Sequence, residues 1–224
     1  MAYIMPTGYN QTIMLTKYHY QILSEALSES LSPRALSAIA AANNYQDRLS
    51  GQFGHDEYHV DNNSFQQSND YIEEQRGITI SSLNANDAKA AWAAFGRLTH
   101  TAHDFYAHSN YIDLWLALFN GNQPPAPHAP HEIDPVHPAL LNHPDLHSGK
   151  VYYPLELFYY VRPLRRFVLS RIPRDSHAWM NLDSPEQGFK FDYAMQAAIK
   201  RTKIEFDKTT LGFSEEMCRL FLDK

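Results

Sequence analysis

The chain has one cysteine, Cys218, in 224 residues. No internal disulfide framework is possible, and no thiolate metal cluster. A lone thiol fits a reducing compartment. Long apolar runs are also missing. The two longest, around 114–119 and 155–161, are too short and interrupted to span a bilayer. The opening, MAYIMPTGYNQ, has neither a basic stretch nor a long apolar one, so no classical signal peptide is expected. The expectation is a soluble protein, cytoplasmic or exported by a non-classical route. Basic charge is scarce: 19 Lys and Arg against 25 Asp and Glu leave a net −6. That argues against duplex nucleic acid as a partner, which needs a broad basic footprint. Neither HExxH, Glu-x-x-His, a Walker A loop, a Gly-rich dinucleotide loop nor a GxSxG elbow occurs. These absences exclude the corresponding metalloprotease, di-iron, nucleotide-binding and serine-hydrolase designs.

Apolar residues at 44% and charged ones at 20% describe an ordinary globular chain. Alternating strand patterns are scarce and no repeat appears, so the fold is expected to be mainly α, a single domain over 1–224. Residues 1–14 read as an irregular arm. His19, Ile22, Leu23, Ala26 and Leu27 share one helical face. Ser32-Pro33 restarts the pattern as N-cap and first helical residue, with Leu36, Ile39, Ala40, Asn43 and Asp47 on the next face and Gly51 as its end. Residues 51–65 read as loop, 66–76 as a short helix stopped by Gly77, and 78–83 as an extended piece. The strongest helix pattern opens at Asn86-Asp87 and runs to about Phe119. Seven prolines and five histidines fill 121–150, which predicts a long loop or lid. Helical patterning returns at 153–174. Ser184 and Gln187 form a capping box for a helix to about 208, and Ser214 starts a last one. Cys218 is expected in the core of that helix.

Histidine is the abundant residue, with 12 copies unevenly placed. In LTHTAHDFYAHSNYIDLW (98–115), His100, Asp104 and His108 fall at i, i+4 and i+8, about 40° apart around a helix, so they form one stripe. Two imidazoles and a carboxylate so placed can hold a divalent ion, and burying them without a partner would be costly. His103 falls about 100° from Asp104 and reads as a boundary residue beside the stripe. His19 and Asp47 lie at the ends of helices that should pack on this one. Each alone reads equally well as a polar helix end. The loop adds His55, Asp56 and the pair His59 and Asp61, which point the same way if the segment is extended. His177 and Asp183 come late, just before a helix start, where Asp183 also suits a dipole role. Seven to nine N and O donors from five segments are more than one ion uses. They suggest two or three zinc ions with catalytic-type ligation.

The segment LTHTAHDFYAHSNYIDLW resembles the hallmark helix of the Het-C family, which is grouped with zinc-dependent phospholipases C and single-strand nucleases. YHVDNNSF (58–65), AANNYQD (41–47), SGKVYYPLELFYY (148–160) and SHAWMNLDSP (176–185) are similar to further segments of that family, in the same order. The resemblance implies a zinc-phospholipase-C-like helical bundle. It implies His19, Asp47, His59, His100, Asp104, His108 and His177 as ligands, to which the residue reading adds Asp61 and Asp183. Asp104 would bridge two ions, and Asp47, arriving from another helix, would be the general base. Where the family places Glu four residues after the late His, this chain has Asn181, and Asp183 is the nearby carboxylate.

The function so implied is a metal-dependent phosphodiesterase, a phospholipase C-like hydrolase acting on phospholipids. The alternatives are a non-enzymatic recognition or membrane-associated protein on the same scaffold, and a single-strand nuclease. Tyr152, Tyr153, Phe158, Tyr159 and Tyr160 offer aromatic contact, equally readable as helix core. Arg162, Arg165, Arg166, Arg171 and Arg174 offer positive charge to phosphates or anionic head groups, equally readable as a solvated face.

Overall fold

Caps and prolines start several helices at the expected places. The computed structural model describes residues 16–52, 54–119 and 129–224, and among these it is helical, with no strands. The expected arm over 1–14 lies outside them, as do Pro124, Pro125, Pro127 and His128 of the proline-rich loop. The first helix, α1, is Thr16–Leu27. Next comes α2, Pro33–Tyr45, where the Ser32 hydroxyl accepts from the Ala35 amide and Pro33 occupies the first turn. Two single turns, α3 (Leu49–Gln52) and α4 (Asp56–His59), replace the expected loop and lead into a 3-10 turn at Asp61–Asn63. Then follow α5 (Phe65–Asn84), α6 (Ala88–His108), α7 (Tyr111–Ala117) and α8 (Pro138–Leu141). The chain closes with α9 (Arg165–Leu169), α10 (His177–Met180), α11 (Lys190–Thr210) and α12 (Glu215–Leu222). No helix among the described residues is long and apolar enough to cross a membrane.

At the centre, α6 packs along α2, α5 and α11, while α1 lies against α2 and α11. Trp92, Phe95 and Leu98 of α6 enter a core with Leu23, Leu36, Ile39 and Phe221. Tyr106 and Ala107, at its other end, enter a second core with Ile22, Tyr111, Trp115 and Tyr193. The His100–Asp104–His108 stripe runs between the two.

Three expectations fail for identifiable reasons. Gly77 does not stop a helix, and 78–83 is not extended: α5 passes through both. A glycine costs a helix only about 1 kcal/mol, and burial of Ile72, Thr79 and Leu83 outweighs that. The 86–119 pattern is two helices. Its break at Ser109 is made by distant segments, because the α6 carbonyls of Ala107 and His108 accept from the amides of Leu182 and Gly149. The Ser184 capping box does not form. Pro185–Gln187 is a 3-10 turn ended by Gly188 at φ +88°, and the Gln187 side chain donates to Asn181 instead. The described part of the proline-rich segment packs inward through Ile133 and Leu140. Cys218 is half-buried rather than core.

Close approach of α2 to α6 depends on Gly96. A Cβ there would sit 2.4 Å from the Ile39 carbonyl oxygen and 2.8 Å from the Ala42 Cβ. Gly96→Ala is therefore expected to push the helices apart, at about 2–3 kcal/mol, and to lower Tm by about 5–10 °C in a chain of this size. An unchanged melting curve would show that the crossing has slack.

Candidate metal centre

All nine residues singled out from the sequence converge on one buried cluster beside α6. From α1 comes His19. From the turn after α2 comes Asp47, and from the end of α4 comes His59. Asp61 begins the next turn, His100, Asp104 and His108 come from α6, and His177 begins α10 with Asp183 just beyond it. Eight of the nine are buried, and the Asp183 side chain, at 20% exposure, is the most open. His59 and Asp61 do not reach the cluster through an extended segment. Val60, Asn62 and Asn63 all take left-handed backbone, at φ 58°, 52° and 60°. A β-branched residue there is strained, and such strain gathers at ligand sites.

Hydrogen positions in the cluster can be assigned from the partners of each ring. The Thr202 hydroxyl donates to the Ala198 carbonyl, so it accepts from His103 Nε2 at 2.9 Å. His103 Nδ1 is then an acceptor and takes the proton of His19 Nδ1, also at 2.9 Å. His19 Nε2 is left as a bare lone pair. It faces Asp104 Oδ1 at 3.6 Å and Asp47 Oδ2 at 3.8 Å. All three of these atoms are buried without a hydrogen-bond partner.

The same logic fixes three more rings. Asn43 donates to Thr99, which turns its carbonyl oxygen toward His100 Nδ1 at 3.4 Å. His59 Nε2 faces the Gly51 carbonyl at 3.3 Å, and His108 Nδ1 donates to the His59 carbonyl at 2.8 Å. Each ring thus turns its unprotonated nitrogen inward. His100 Nε2 lies 3.1 Å and His59 Nδ1 2.9 Å from Asp104 Oδ2, and His108 Nε2 lies 3.2 Å from Asp183 Oδ1. His177 Nδ1 meets Asp61 Oδ1 at 2.7 Å. With these rings neutral, the lone pairs of His19, His59, His100 and His108 face Asp47, Asp104 and Asp183 with no hydrogen between them, while His177 hydrogen-bonds Asp61. Acceptors so arranged repel unless a cation stands among them.

Electrostatics agree. Burial, then His100, holds His19 well below the usual histidine range, and His103 is pushed down to about 3 by burial and then His100. Burial, then Asp104 and Asp183, holds Asp47 well above the usual carboxylate range. Burial acts upward on Asp104 as well, but His100 and His108 outweigh it and hold the group well below that range. Burial works against the charged form of His108, but Asp104 and Asp183 outweigh it and raise that ring well above its usual value. The cluster demands positive charge, as a metal or as protons.

Three sets of donor atoms lie within 4.8 Å of one another: His19, His100 and Asp104; Asp47, His59 and His100; and Asp61, His108 and His177. Zinc bonds of about 2.0–2.2 Å place neighbouring ligand atoms about 3.3–3.6 Å apart; the His19 contacts at 3.6 and 3.8 Å are near this, and those of 2.7–3.2 Å would have to open to admit an ion. The first two sets share His100 Nε2, which serves one ion at a time. Either can be filled together with the third set.

Outer residues missed in the sequence position this shell. Glu156, buried, accepts from the Ala178 amide at 2.6 Å and from the Tyr152 amide at 2.6 Å, fixing the start of α10 beside His177. Asn63 and Ser148 exchange two hydrogen bonds, and the Gly149 amide donates to His108. A Cβ on Gly149 would lie 2.5 Å from the His177 Cα, so only glycine lets this segment pass. His103, read as a boundary residue, orients His19. A groove of about 840 Å³ between α2 and the first half of α6, lined by Arg34, Tyr45 and Trp92 among others, shares no residue with the cluster.

The fold and site define an all-helical protein built around a His/Asp cage. The chain belongs to the family described as the VWA7 N-terminal domain, whose model matches residues 11–128, just over half of its length. This overturns the Het-C resemblance: no Het-C or phospholipase C-like family matches. Seven of the nine cage residues fall inside the matched span, and His177 and Asp183 lie beyond it. No curated protein and no solved structure matches the chain.

Proposed function

We propose that this chain binds two divalent ions in the cage, zinc by its ligand chemistry, and hydrolyses a phosphodiester. One observation carries the reading: the inward nitrogens of four neutral imidazoles meet the carboxylates of Asp47, Asp104 and Asp183 with no donor hydrogen between them, and Asp61 adds a fourth carboxylate beside His177. Two divalent ions would balance the four carboxylates, and the two disjoint donor sets support the same number. Imidazole with carboxylate suits zinc, whereas calcium and magnesium take all-oxygen surroundings. One ion would use His19, His100 and Asp104, with Asp47 and His59 adjoining. The other would use Asp61, His108 and His177. Bound ions supply activated water near neutral pH and offset charge on phosphoryl oxygens.

The chain's own residues have distinct tasks. Asp104 presents Oδ1 to His19 and Oδ2 to His59 and His100, all around the first ion, and its Oδ2 also lies 3.9 Å from His108 Nδ1 of the second set. Asp47 Oδ2 lacks a hydrogen-bond partner and would be the base for a water activated there. Asp183 stands at the open side and aligns His108. The outer acceptors keep each ring in the tautomer that leaves its inward nitrogen free.

The test compares hydrolysis of bis(p-nitrophenyl) phosphate and of a phospholipid panel by protein as isolated, after chelation and after zinc return. Turnover is expected to vanish on chelation and to come back with zinc. Two zincs per chain with no diester turned over would make the ions structural and end the hydrolase reading.

A further inference from the structure

Six of the eleven large apolar side chains exposed among the described residues fall within 153–167. Leu157, Phe158, Val161, Leu164 and Phe167 are between 37% and 50% exposed. They are not spare core residues, because the inner side of this segment is already filled by Val168, Ile172 and Ala178. The outward side is therefore apolar without an intramolecular purpose. From 157 to 174 the chain carries five arginines and no acid, on a protein of net charge −6. Arg166, Arg171 and Arg174 are exposed and make no ion pair with the described residues. Arg171 lies 4.1 Å over the Phe167 ring, so charge and apolar surface form one patch.

We infer that this patch is an interfacial docking surface for an anionic phospholipid bilayer. Aromatic and aliphatic side chains enter the boundary between head groups and acyl chains, while arginines around them meet lipid phosphates. Charge selects the occupant: the patch is the basic part of an acidic molecule, so an anionic surface attracts it and repels the rest. Glu156 links the patch to the cage, capping α10 next to His177, so a docked bilayer lies beside the segment that carries a cage histidine. This surface does not depend on the hydrolytic reading.

The experiment is flotation of the full chain as isolated with vesicles of phosphatidylcholine alone and of phosphatidylcholine with phosphatidylglycerol. Binding is expected only to the anionic vesicles, and to weaken as salt is raised. R166Q/R171Q is expected to lower partitioning about 30-fold, from about fivefold per arginine near such a surface. F158S/F167S is expected to lower it at least about tenfold, with circular dichroism and metal content unchanged. Equal binding to neutral vesicles, no binding, or variants that match the parent would overturn the inference. So would a concentration-dependent dimer dissolved by F158S/F167S, which would make the patch a contact between two copies. No turnover enters the readout, so failure here and failure of the hydrolase reading are separately visible.

Discussion

Asp104→Asn is expected to lose at least one zinc per chain and to lower diester turnover about 10³-fold, near the upper end for one group stabilising a transition state, while the fold survives. Asparagine keeps the volume of the side chain but removes its charge and turns one carboxylate oxygen into an NH₂. That group points into a set of lone pairs. It can donate to His19 Nε2 or His59 Nδ1, which lie 3.6 Å and 2.9 Å from the oxygens it replaces. The variant thus supplies hydrogens where the proposed scheme puts a cation. Its metal-free form is expected to melt no lower than the metal-free parent. His55→Ala serves as the control, since that ring is partly exposed, bonds to Glu57 and lies outside the three donor sets. Elemental analysis, turnover and melting are read on the same preparations. An Asp104→Asn protein with the parent's zinc content would remove Asp104 from the centre and with it the two-ion scheme.

What the sequence made legible was periodic. His100, Asp104 and His108 share a stripe because an eight-residue span of helix is nearly two and a quarter turns, and nothing outside the helix is needed to see it. His19 and Asp47 followed from the faces of α1 and α2. Other features depend on partners far along the chain. The stop at Ser109 is set by amides of Gly149 and Leu182, and no residue near 109 signals it. His59 and Asp61 were placed in the site by an extended segment that does not exist; left-handed Val60 turns them there instead. Glu156 gave no signal at all, because an acid in an aromatic run looks like a solvated position until α10 is seen above it. The family resemblance failed for a related reason. A His-x-x-x-Asp-x-x-x-His stripe reports what a helix must present to hold a cation, and bundles of different families can present it.

Removing the metals is expected to lower Tm by at least about 10 °C, with recovery when zinc is returned. Each ion that binds only the folded chain, at a free concentration 1,000 times its Kd, adds about 4 kcal/mol, and in a chain of this length each kcal/mol moves Tm by about 2–4 °C. The metal-free cage also keeps a cost that ordinary apo proteins lack. His19 Nε2, Asp47 Oδ2 and Asp104 Oδ1 remain buried without partners, and each such group costs about 1–3 kcal/mol. The rings cannot relax by flipping, because their outer nitrogens are held by His103, Asn43 and the carbonyls of Gly51 and His59. Rigid outer partners that secure the ligand tautomers are thus the reason the empty cage is destabilising. Loosening one should soften the penalty: in Thr202→Val, His103 loses its anchor, His19 is freer to turn, and the gap in Tm between loaded and chelated protein is expected to narrow. Calorimetric melting with and without chelator measures both. Equal Tm values for loaded and chelated parent would mean that protons alone satisfy the cage, and that its histidines and carboxylates are a hydrogen-bonded core rather than a metal centre.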